Sequence, residues 1–371
     1  MRVGLFVVMA GRQAGGPETY EHRLVRSLAA LDRETDYHIF CLSKAAVESF
    51  ALAQENLRYH VLRPGSRWVS SLASLPFSLL ANRVDLLHAT FVPPLLSPTR
   101  YVFTMHCFSN FVHPEFYHPL IRWRLNRLIV RGLRRARLIL CVSENVRDLV
   151  RERFAVPPER LAVVYNGVGE DFHPMAPPLV RSIVATRYRI SRHYALFVGQ
   201  LKTRKNLVRL LEAFARFREE SRSGLQLVLA GRRDWSSTEI DPAIERLRLR
   251  EHVLELGHVA HEDLPALYCG AEMFVFPSLW EGFGIPVIEA MACGTPVVTA
   301  NNSSLAEVAG ESALLVNPYS VEEIAGAMGR ICSDRALRES LRASGLERAR
   351  LFSWKRTAQQ TLAAYRRLQA A

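Results

Sequence analysis

Short apolar runs alternate with helical segments along almost the whole of this chain. This alternation favours a parallel sheet with helices on both faces, because each crossover helix packs back onto the sheet. Ser143 is the predicted N-cap of a helix in the first half. We predict strands there at seven runs, residues 1–10, 37–43, 57–63, 84–90, 100–106, 136–143 and 161–168.

The alternation restarts after a proline-rich segment, residues 171–180, which we interpret as a linker. A chain of 371 residues is longer than most single cores, so two domains are expected. We place two doubly wound Rossmann-like domains at residues 1–175 and 176–352. Ligands of such sheets bind at the carboxyl ends of the strands, and the expected site is a cleft between the domains.

The six cysteines are scattered without a C-x-x-C pair. This spacing predicts neither a disulfide framework nor a zinc site, and it indicates a reducing compartment. The apolar run that opens the chain is far shorter than the roughly 20 residues of a membrane span. We therefore expect a cytoplasmic protein whose first apolar run is a buried strand.

Much of the net charge of +12 lies in one segment. No acidic residue occurs between Glu115 and Glu144, and arginines interleave with apolar residues across Arg122–Arg137. This pattern is typical of a basic amphipathic helix that binds an anionic membrane surface from the cytoplasmic side. The alternative is a solvated helix face in an arginine-rich chain. Nucleic acid is a weaker candidate, because no recognition motif is present.

The stretch WEGFGIPVIEAMACG contains two glutamates, Glu281 and Glu289. Gly282 and Gly284 let the backbone approach a ligand, and a helix predicted to begin at Ile285 favours an anion at its N-terminus. Glu281 can accept hydrogen bonds from hydroxyls, and Glu289 is suited to a vicinal diol such as ribose. In the alternative interpretation, Glu281 only caps the helix and Glu289 pairs with a buried arginine.

A second strand–loop–helix unit has the sequence FVGQLKTRKN. Its strand ends at Gly199, and Arg204 and Lys205 come directly before the next helix. Two cations beside a helix N-terminus form a suitable binding site for a diphosphate. An exposed basic loop is the alternative.

The first half adds a glycine loop and a histidine. AGRQAGGPETY supplies Gly15 and Gly16, whose amides can line an anion, although the G-x-G-x-x-G spacing of a nicotinamide site is missing. His106 ends a strand and is predicted to face the cleft, although a lone histidine is more often structural. The chain has no Asp-x-Asp, G-x-S-x-G or G-x-x-x-x-G-K-[ST] motif, which argues against a metal–diphosphate site of that type, a serine hydrolase and a P-loop NTPase.

Several further motifs occur in a fixed order: G-G-P-E-T-Y, T-M-H, L-C-V-S-E, V-V-Y-N-G-V, F-V-G-x-L-x-x-R-K-N, E-G-F-G-I-P-V-I-E and F-S-W-x-R-T-A-x-Q-T. Together they resemble the retaining GT-B glycosyltransferases of family four over almost the whole chain. The resemblance implies two Rossmann-like domains facing across a cleft, with residues 353–371 forming a helix that crosses back to the first. It also implies a nucleotide-sugar donor, a saccharide or lipid-linked acceptor, and no cofactor or metal.

The same resemblance gives each motif residue a role. Glu281 contacts the donor sugar's hydroxyls, Lys205 and Arg204 neutralise the diphosphate, and His106 lies against the transferred sugar on the acceptor side. Glu289 binds the nucleotide ribose. The other donor contacts are assigned to Gly15, Gly16, Gly199, Gly231, Val259, Gly282, Phe283, Gly284 and Ile285.

The chain departs from the family's pattern at Gln200, Cys107 and Gly169, where arginine, aspartate and aspartate are usual. Its motifs are similar to those of members that use GDP-mannose, so we expect transfer of mannose from GDP-mannose in cell-surface polysaccharide assembly. UDP- and dTDP-sugars stay open as donors. We expect front-face attack rather than a covalent carboxylate intermediate. A sugar-nucleotide epimerase, a phosphorylase, a non-catalytic nucleotide-sugar-binding subunit and an NAD-dependent enzyme are the competing interpretations.

Overall fold

A computed structural model describes residues 1–12 and 15–370, without the side chain of residue 370. These residues form two compact units, Met1–Gly167 with Ser353–Ala371, and Val168–Phe352. The division therefore lies at Gly167–Val168 rather than near residue 175. Each unit contains one sheet of parallel strands, and the predicted α/β class with two doubly wound sheets is confirmed.

The first unit has a seven-stranded parallel sheet in the order β3-β2-β1-β4-β5-β6-β7. Its strands are β1 (Arg2–Phe6), β2 (Asp36–Cys41), β3 (Leu57–Val61), β4 (Leu86–Ala89), β5 (Tyr101–Met105), β6 (Leu138–Cys141) and β7 (Leu161–Val163). Its helices are α1 (Gly16–Leu31), α2 (Lys44–Phe50), α3 (Arg67–Leu72), α4 (Ser74–Ala81), α5 (Ser109–Val112), α6 (Pro119–Arg135) and α7 (Glu144–Phe154). Short 3-10 helices occupy Pro114–Phe116 and Pro158–Arg160.

The strand order of this sheet reverses between β1 and β4, which are hydrogen-bonded neighbours. Such a switch point opens a crevice at the carboxyl ends of the two strands. The central strands β4, β5 and β6 are buried at every residue, as expected for a sheet covered on both faces. Ser143 caps α7 as predicted, because its hydroxyl accepts a hydrogen bond from the Val146 amide at 3.1 Å.

The second unit has a six-stranded parallel sheet in the order β10-β9-β8-β11-β12-β13. Its strands are β8 (Tyr194–Val198), β9 (Gln226–Ala230), β10 (Val253–Gly257), β11 (Met273–Phe276), β12 (Val297–Ala300) and β13 (Leu314–Val316). Its helices are α8 (Pro177–Tyr188), α9 (Leu207–Ser221), α10 (Ile240–Arg246), α11 (Leu264–Gly270), α12 (Ile285–Ala292), α13 (Ser303–Ala309), α14 (Val321–Ser333) and α15 (Arg335–Ala349). Here the order reverses between β8 and β11, and the loops after these two strands carry the candidate donor site.

The prediction of a linker over residues 171–180 is wrong in its second part. Pro177 begins α8, a helix that the sequence interpretation did not include, and proline is well tolerated in a first helical turn. Phe172 and Val180 are buried in the core of the second unit. The proline-rich segment therefore packs into the core of the second unit rather than serving as a linker.

The last helix, α16 (Trp354–Ala370), belongs to the first unit and packs against α1. The hydroxyl of Tyr365 lies 2.6 Å from Nδ1 of His88, a fully buried residue of β4. The hydroxyl of Thr357 donates to the Tyr165 carbonyl at 2.7 Å. A side chain at Gly167 would overlap the backbone of Trp354. The two ends of the chain thus form one core.

Candidate functional site

Glu281 is the centre of the candidate donor site. Its Oε1 lies 2.7 Å from the Lys205 ammonium and 2.8 Å from a guanidinium nitrogen of Arg204. The lysine and the glutamate are each only 8% exposed. The Lys205 ammonium also lies 4.4 Å from the centre of the Phe276 ring, a favourable cation–π distance. The fold therefore brings two motifs, 76 residues apart in sequence, into one buried cluster of two cations and one carboxylate.

The environment of this cluster changes the pKa of both partners. Burial alone would raise the pKa of Glu281, but the positive charges of Arg204 and Lys205 outweigh it and lower that pKa to about 2. Burial lowers the pKa of Lys205 to about 8, against the opposing attraction of Glu281. At neutral pH the carboxylate is ionised and the lysine is mostly protonated.

The loop between β11 and α12 holds Glu281 in place. Its backbone amide donates to the Ser303 hydroxyl at 3.1 Å, and its carbonyl accepts from the Ser304 amide at 3.3 Å. Gly284 is the N-cap of α12 with φ of 100°, a conformation that favours glycine, and a side chain there would press on Leu305. The helix has no side-chain cap, so Glu281 does not cap it, and its N-terminus suits an anionic ligand.

Glu289 lies within α12 and is 7% exposed. Its Oε2 accepts a hydrogen bond from the Tyr268 hydroxyl at 3.0 Å. Burial and the neighbouring carboxylate raise the pKa of Tyr268 well above its ordinary value, so this hydroxyl remains a donor. The ribose-binding role of Glu289 stays a prediction.

Gly199, Gly231 and Gly257 lie at the carboxyl ends of three adjacent strands of the second sheet, β8, β9 and β10. The Gly199 amide donates to the Ala230 carbonyl at 2.9 Å, and the Gly231 amide donates to the Gly257 carbonyl at 2.7 Å. Gly231 has φ of 153°, and a side chain there would overlap the Gly199 carbonyl. Val259 follows this edge and is buried. The glycines keep the edge free of side chains, which suits the predicted nucleoside contacts.

The first unit contains a buried carboxylate, Glu21 of α1, that the sequence interpretation missed. It is fully buried and accepts four hydrogen bonds. Three come from backbone amides of the loop after β1, those of Val8, Met9 and Ala10, at 2.8–2.9 Å. The fourth comes from the Thr90 hydroxyl at 2.7 Å. Glu21 therefore fixes the loop that leads toward Gly15, the N-cap of α1, and Gly16, its first residue.

His106 is connected to this network through Thr90. Its Nε2 lies 2.6 Å from the Thr90 carbonyl oxygen, and its ring meets the Tyr20 ring edge-on at 4.5 Å. Because a carbonyl only accepts, Nε2 must carry the proton. Burial lowers the pKa of His106 to about 4, so the imidazole is neutral at physiological pH. A neutral ring in this tautomer leaves Nδ1 as an acceptor for a hydroxyl.

His106 lines a cavity of about 360 Å³ in the first unit. Residues from α3 and α6 complete its polar lining, in particular Arg67, Trp68 and Arg124. No motif marks Arg67 or Trp68, and Arg124 was assigned from the sequence only to the basic segment Arg122–Arg137, not to a binding cavity. Glu21 left a clearer signal, because it occupies the apolar stripe of α1 that Leu24, Val25 and Leu28 continue.

Two doubly wound parallel sheets with a cation–carboxylate cluster at the start of a helix define a glycosyltransferase of the GT-B class. The fold agrees with that of sucrose-phosphate synthase from Thermosynechococcus elongatus, with a TM-score of 0.83 at 21% identity over 100% of this chain and 99% of that one. WaaG, a glycosyltransferase involved in lipopolysaccharide biosynthesis, gives a TM-score of 0.78 at 17% identity over 97% and 98%.

The chain belongs to glycosyltransferase family four. Residues 14–172 match the family model described as Glycosyltransferase Family 4, and residues 188–348 match Glycosyl transferases group 1. The chain is 36% identical over 270 residues to O-antigen chain mannosyltransferase B of Escherichia coli, covering 72% of this chain and 71% of that protein. It is 31% identical over 286 residues to the serotype-specific mannosyltransferase WbdA of Escherichia coli, of whose length it spans 32%.

Proposed function

We propose that the chain transfers mannose from GDP-mannose, with retention of configuration and without a metal, to a saccharide or lipid-linked saccharide in cell-surface polysaccharide assembly. The observation that carries this proposal is the buried cluster of Glu281, Lys205 and Arg204 at the start of α12. The mannosyltransferase relatives support mannose as the sugar.

In this proposal the donor diphosphate replaces Glu281 as the partner of the two cations. Lys205 and Arg204 then neutralise the charge that grows on the leaving group as the glycosidic bond breaks. The released carboxylate accepts hydrogen bonds from the sugar's hydroxyls. In front-face attack the departing diphosphate takes the acceptor's proton, so no protein nucleophile is needed. The two cations also supply the charge that a metal would otherwise bring.

The donor base is tested by thermal unfolding with GDP, UDP, dTDP, ADP and NAD. A ligand at 100 times its Kd stabilises the native state by about 2.7 kcal/mol. We expect GDP to raise Tm most. A larger shift with UDP or dTDP would assign the donor to that nucleotide instead, and a shift with NAD alone would contradict the proposal. Radiolabelled sugar transfer separates an enzyme from a non-catalytic binding subunit.

The pH dependence of kcat/KM tests the role of Lys205. Because the pKa of Lys205 in the free enzyme is about 8, kcat/KM is expected to fall as the pH rises through that value and the ammonium loses its charge. A bound diphosphate raises this pKa, so kcat should fall only at higher pH. In Lys205→Arg the decline should disappear below about pH 10, since arginine stays protonated. An identical alkaline decline in Lys205→Arg would assign it to another group.

We also propose that α6 binds anionic lipid. Arg127, Arg131 and Arg134 form an exposed row along this helix, here named the basic stripe. On the same helix, Ile121 is 57% exposed and Trp123 is 53% exposed, and the Arg127 guanidinium lies 4.4 Å from the centre of the Trp123 ring. Apolar side chains beside arginines are typical of helices that lie in a membrane interface. Within residues 1–12 and 15–370, no helix is long and apolar enough to span a bilayer.

Replacing all three arginines of the basic stripe by glutamine should weaken cosedimentation with anionic vesicles by about two orders of magnitude, at roughly 1 kcal/mol per arginine near the surface. The matched control replaces three exposed arginines of the same unit outside α6, Arg33, Arg83 and Arg100, and should bind as the wild type does. Equal losses in both variants would mean that only net charge matters, and no vesicle binding at low salt would remove the membrane proposal.

A further inference from the structure

The cavity around His106 contains two arginines without a carboxylate partner. Arg67 and Arg124 both line it, and none of its lining residues is acidic. In the described part of the chain, no ion pair involves either guanidinium. Arg67 is half-buried, and a half-buried arginine without a counterion is unfavourable unless a ligand supplies the negative charge, whereas Arg124 is exposed.

Both guanidiniums are held at one aromatic ring. Their Cζ atoms lie 5.2 Å and 5.0 Å from the centre of the Trp68 indole, for Arg67 and Arg124 respectively. Stacking on the ring orients each planar guanidinium and leaves its N–H groups available for other partners. Burial lowers the pKa of Arg67, and the like charges of Arg12 and Arg124 lower it further. Two positive charges thus lie against one aromatic ring in an otherwise largely apolar cavity.

We propose that the acceptor of this enzyme carries a phosphate group, which Arg67 and Arg124 bind in the cavity that also contains His106. The inference rests on the proposed function, because it takes this cavity as the acceptor site. Two guanidiniums match the geometry of phosphate oxygens, which accept paired N–H hydrogen bonds. Trp68 holds the two guanidiniums, and Nδ1 of His106 offers an acceptor to a sugar hydroxyl. The phosphate belongs either to a soluble sugar phosphate or to a prenyl diphosphate-linked saccharide.

Calorimetric titration of the full chain tests this proposal with three probes: mannose, mannose 6-phosphate and farnesyl diphosphate. At least one phosphate probe is expected to bind about tenfold or more tightly than mannose, as charge-assisted hydrogen bonds require. Preference for mannose 6-phosphate would indicate a soluble acceptor, and preference for farnesyl diphosphate a lipid-linked one. If neither probe binds more tightly than mannose, the proposal is wrong.

Variants locate the binding site. Arg67→Gln and Arg124→Gln should each remove most of the phosphate preference, and because Arg124 is exposed, its variant is expected to fold as the wild type does. Arg100→Gln, which removes one exposed charge from the same unit, should retain the preference, and so should Lys205→Ala. A preference that survives both arginine substitutions, or that disappears in Lys205→Ala instead, would overturn the assignment. A chain that binds phosphate through Arg67 and Arg124 but transfers no sugar would refute the proposed function and leave this site standing.

Discussion

Replacement of Lys205 by alanine is expected to lower kcat for sugar transfer by about 100-fold or more at saturating donor, by analogy with the loss of one transition-state hydrogen-bond donor. The ammonium is buried against Glu281 at 2.7 Å, where charge is screened far less than in water. In the proposed reaction it compensates the charge that appears on the diphosphate only as the bond breaks. Its loss should therefore reduce kcat more than it weakens donor binding.

Arg204 still neutralises Glu281 at 2.8 Å in this variant, so the fold should survive the change. Lys202→Ala is the matched control, because Lys202 belongs to the same loop but donates to Gln200 at 2.8 Å. Its kcat should stay close to that of the wild type. Steady-state kinetics at saturating donor measure both variants, and a Lys205→Ala enzyme with normal kcat would show that the diphosphate assignment is wrong.

The second large effect is expected from Glu21→Gln, a substitution that keeps the size of the side chain. Three partners of Glu21 are loop amides that can only donate, and the fourth is the Thr90 hydroxyl, which also lies 2.8 Å from the Phe6 carbonyl oxygen. A glutamine NH₂ group must face at least one of the three amides and cannot accept from it, although the Thr90 hydroxyl could donate to Phe6 instead and accept from the NH₂ group. Leaving buried donors unsatisfied costs about 1–3 kcal/mol each, so the loop after β1 should open locally far more often.

Amide hydrogen exchange gives the local measurement. The amides of Val8, Met9 and Ala10 should exchange faster by about tenfold or more, since each 1.4 kcal/mol is a factor of ten. Glu48→Gln, on the exposed side of α2 in the same unit, is the control and should leave these rates unchanged. Unchanged protection of the three amides in Glu21→Gln would mean that the carboxylate does not hold the loop.

Lys205 and Glu21 differ in how far the sequence could predict their roles. Lys205 and Glu281 each follow a buried strand in a recognisable motif, and the motifs place both at the carboxyl edge of one sheet. Their direct pairing depends on β8 and β11 being neighbours, which local sequence does not contain. Glu21 was not identified from the sequence because a glutamate in an amphipathic helix is usually solvated. Its four partners come from segments that only the tertiary fold brings together.

The fold could be predicted from the sequence more completely than the candidate site could. Alternating apolar runs predict the strands well, because a parallel strand buried on both faces is apolar throughout. The helix α8 was missed because Pro177 and Pro178 were interpreted as breakers, whereas proline disrupts a helix only beyond its first turn. The role of the cavity at Trp68 depends on two helices far apart in sequence, and no local pattern predicts such a juxtaposition.

Because α16 belongs to the first unit, the second unit, Val168–Phe352, is a continuous insert between the two segments of the first unit. The insert begins and ends at adjacent points, since the Val168 amide donates to the Phe352 carbonyl at 3.2 Å. The second unit could therefore be replaced by that of a relative through two junctions that lie next to each other, without disrupting the core of either unit. If the proposed function holds, such a hybrid would combine the acceptor preference of one parent with the donor preference of the other.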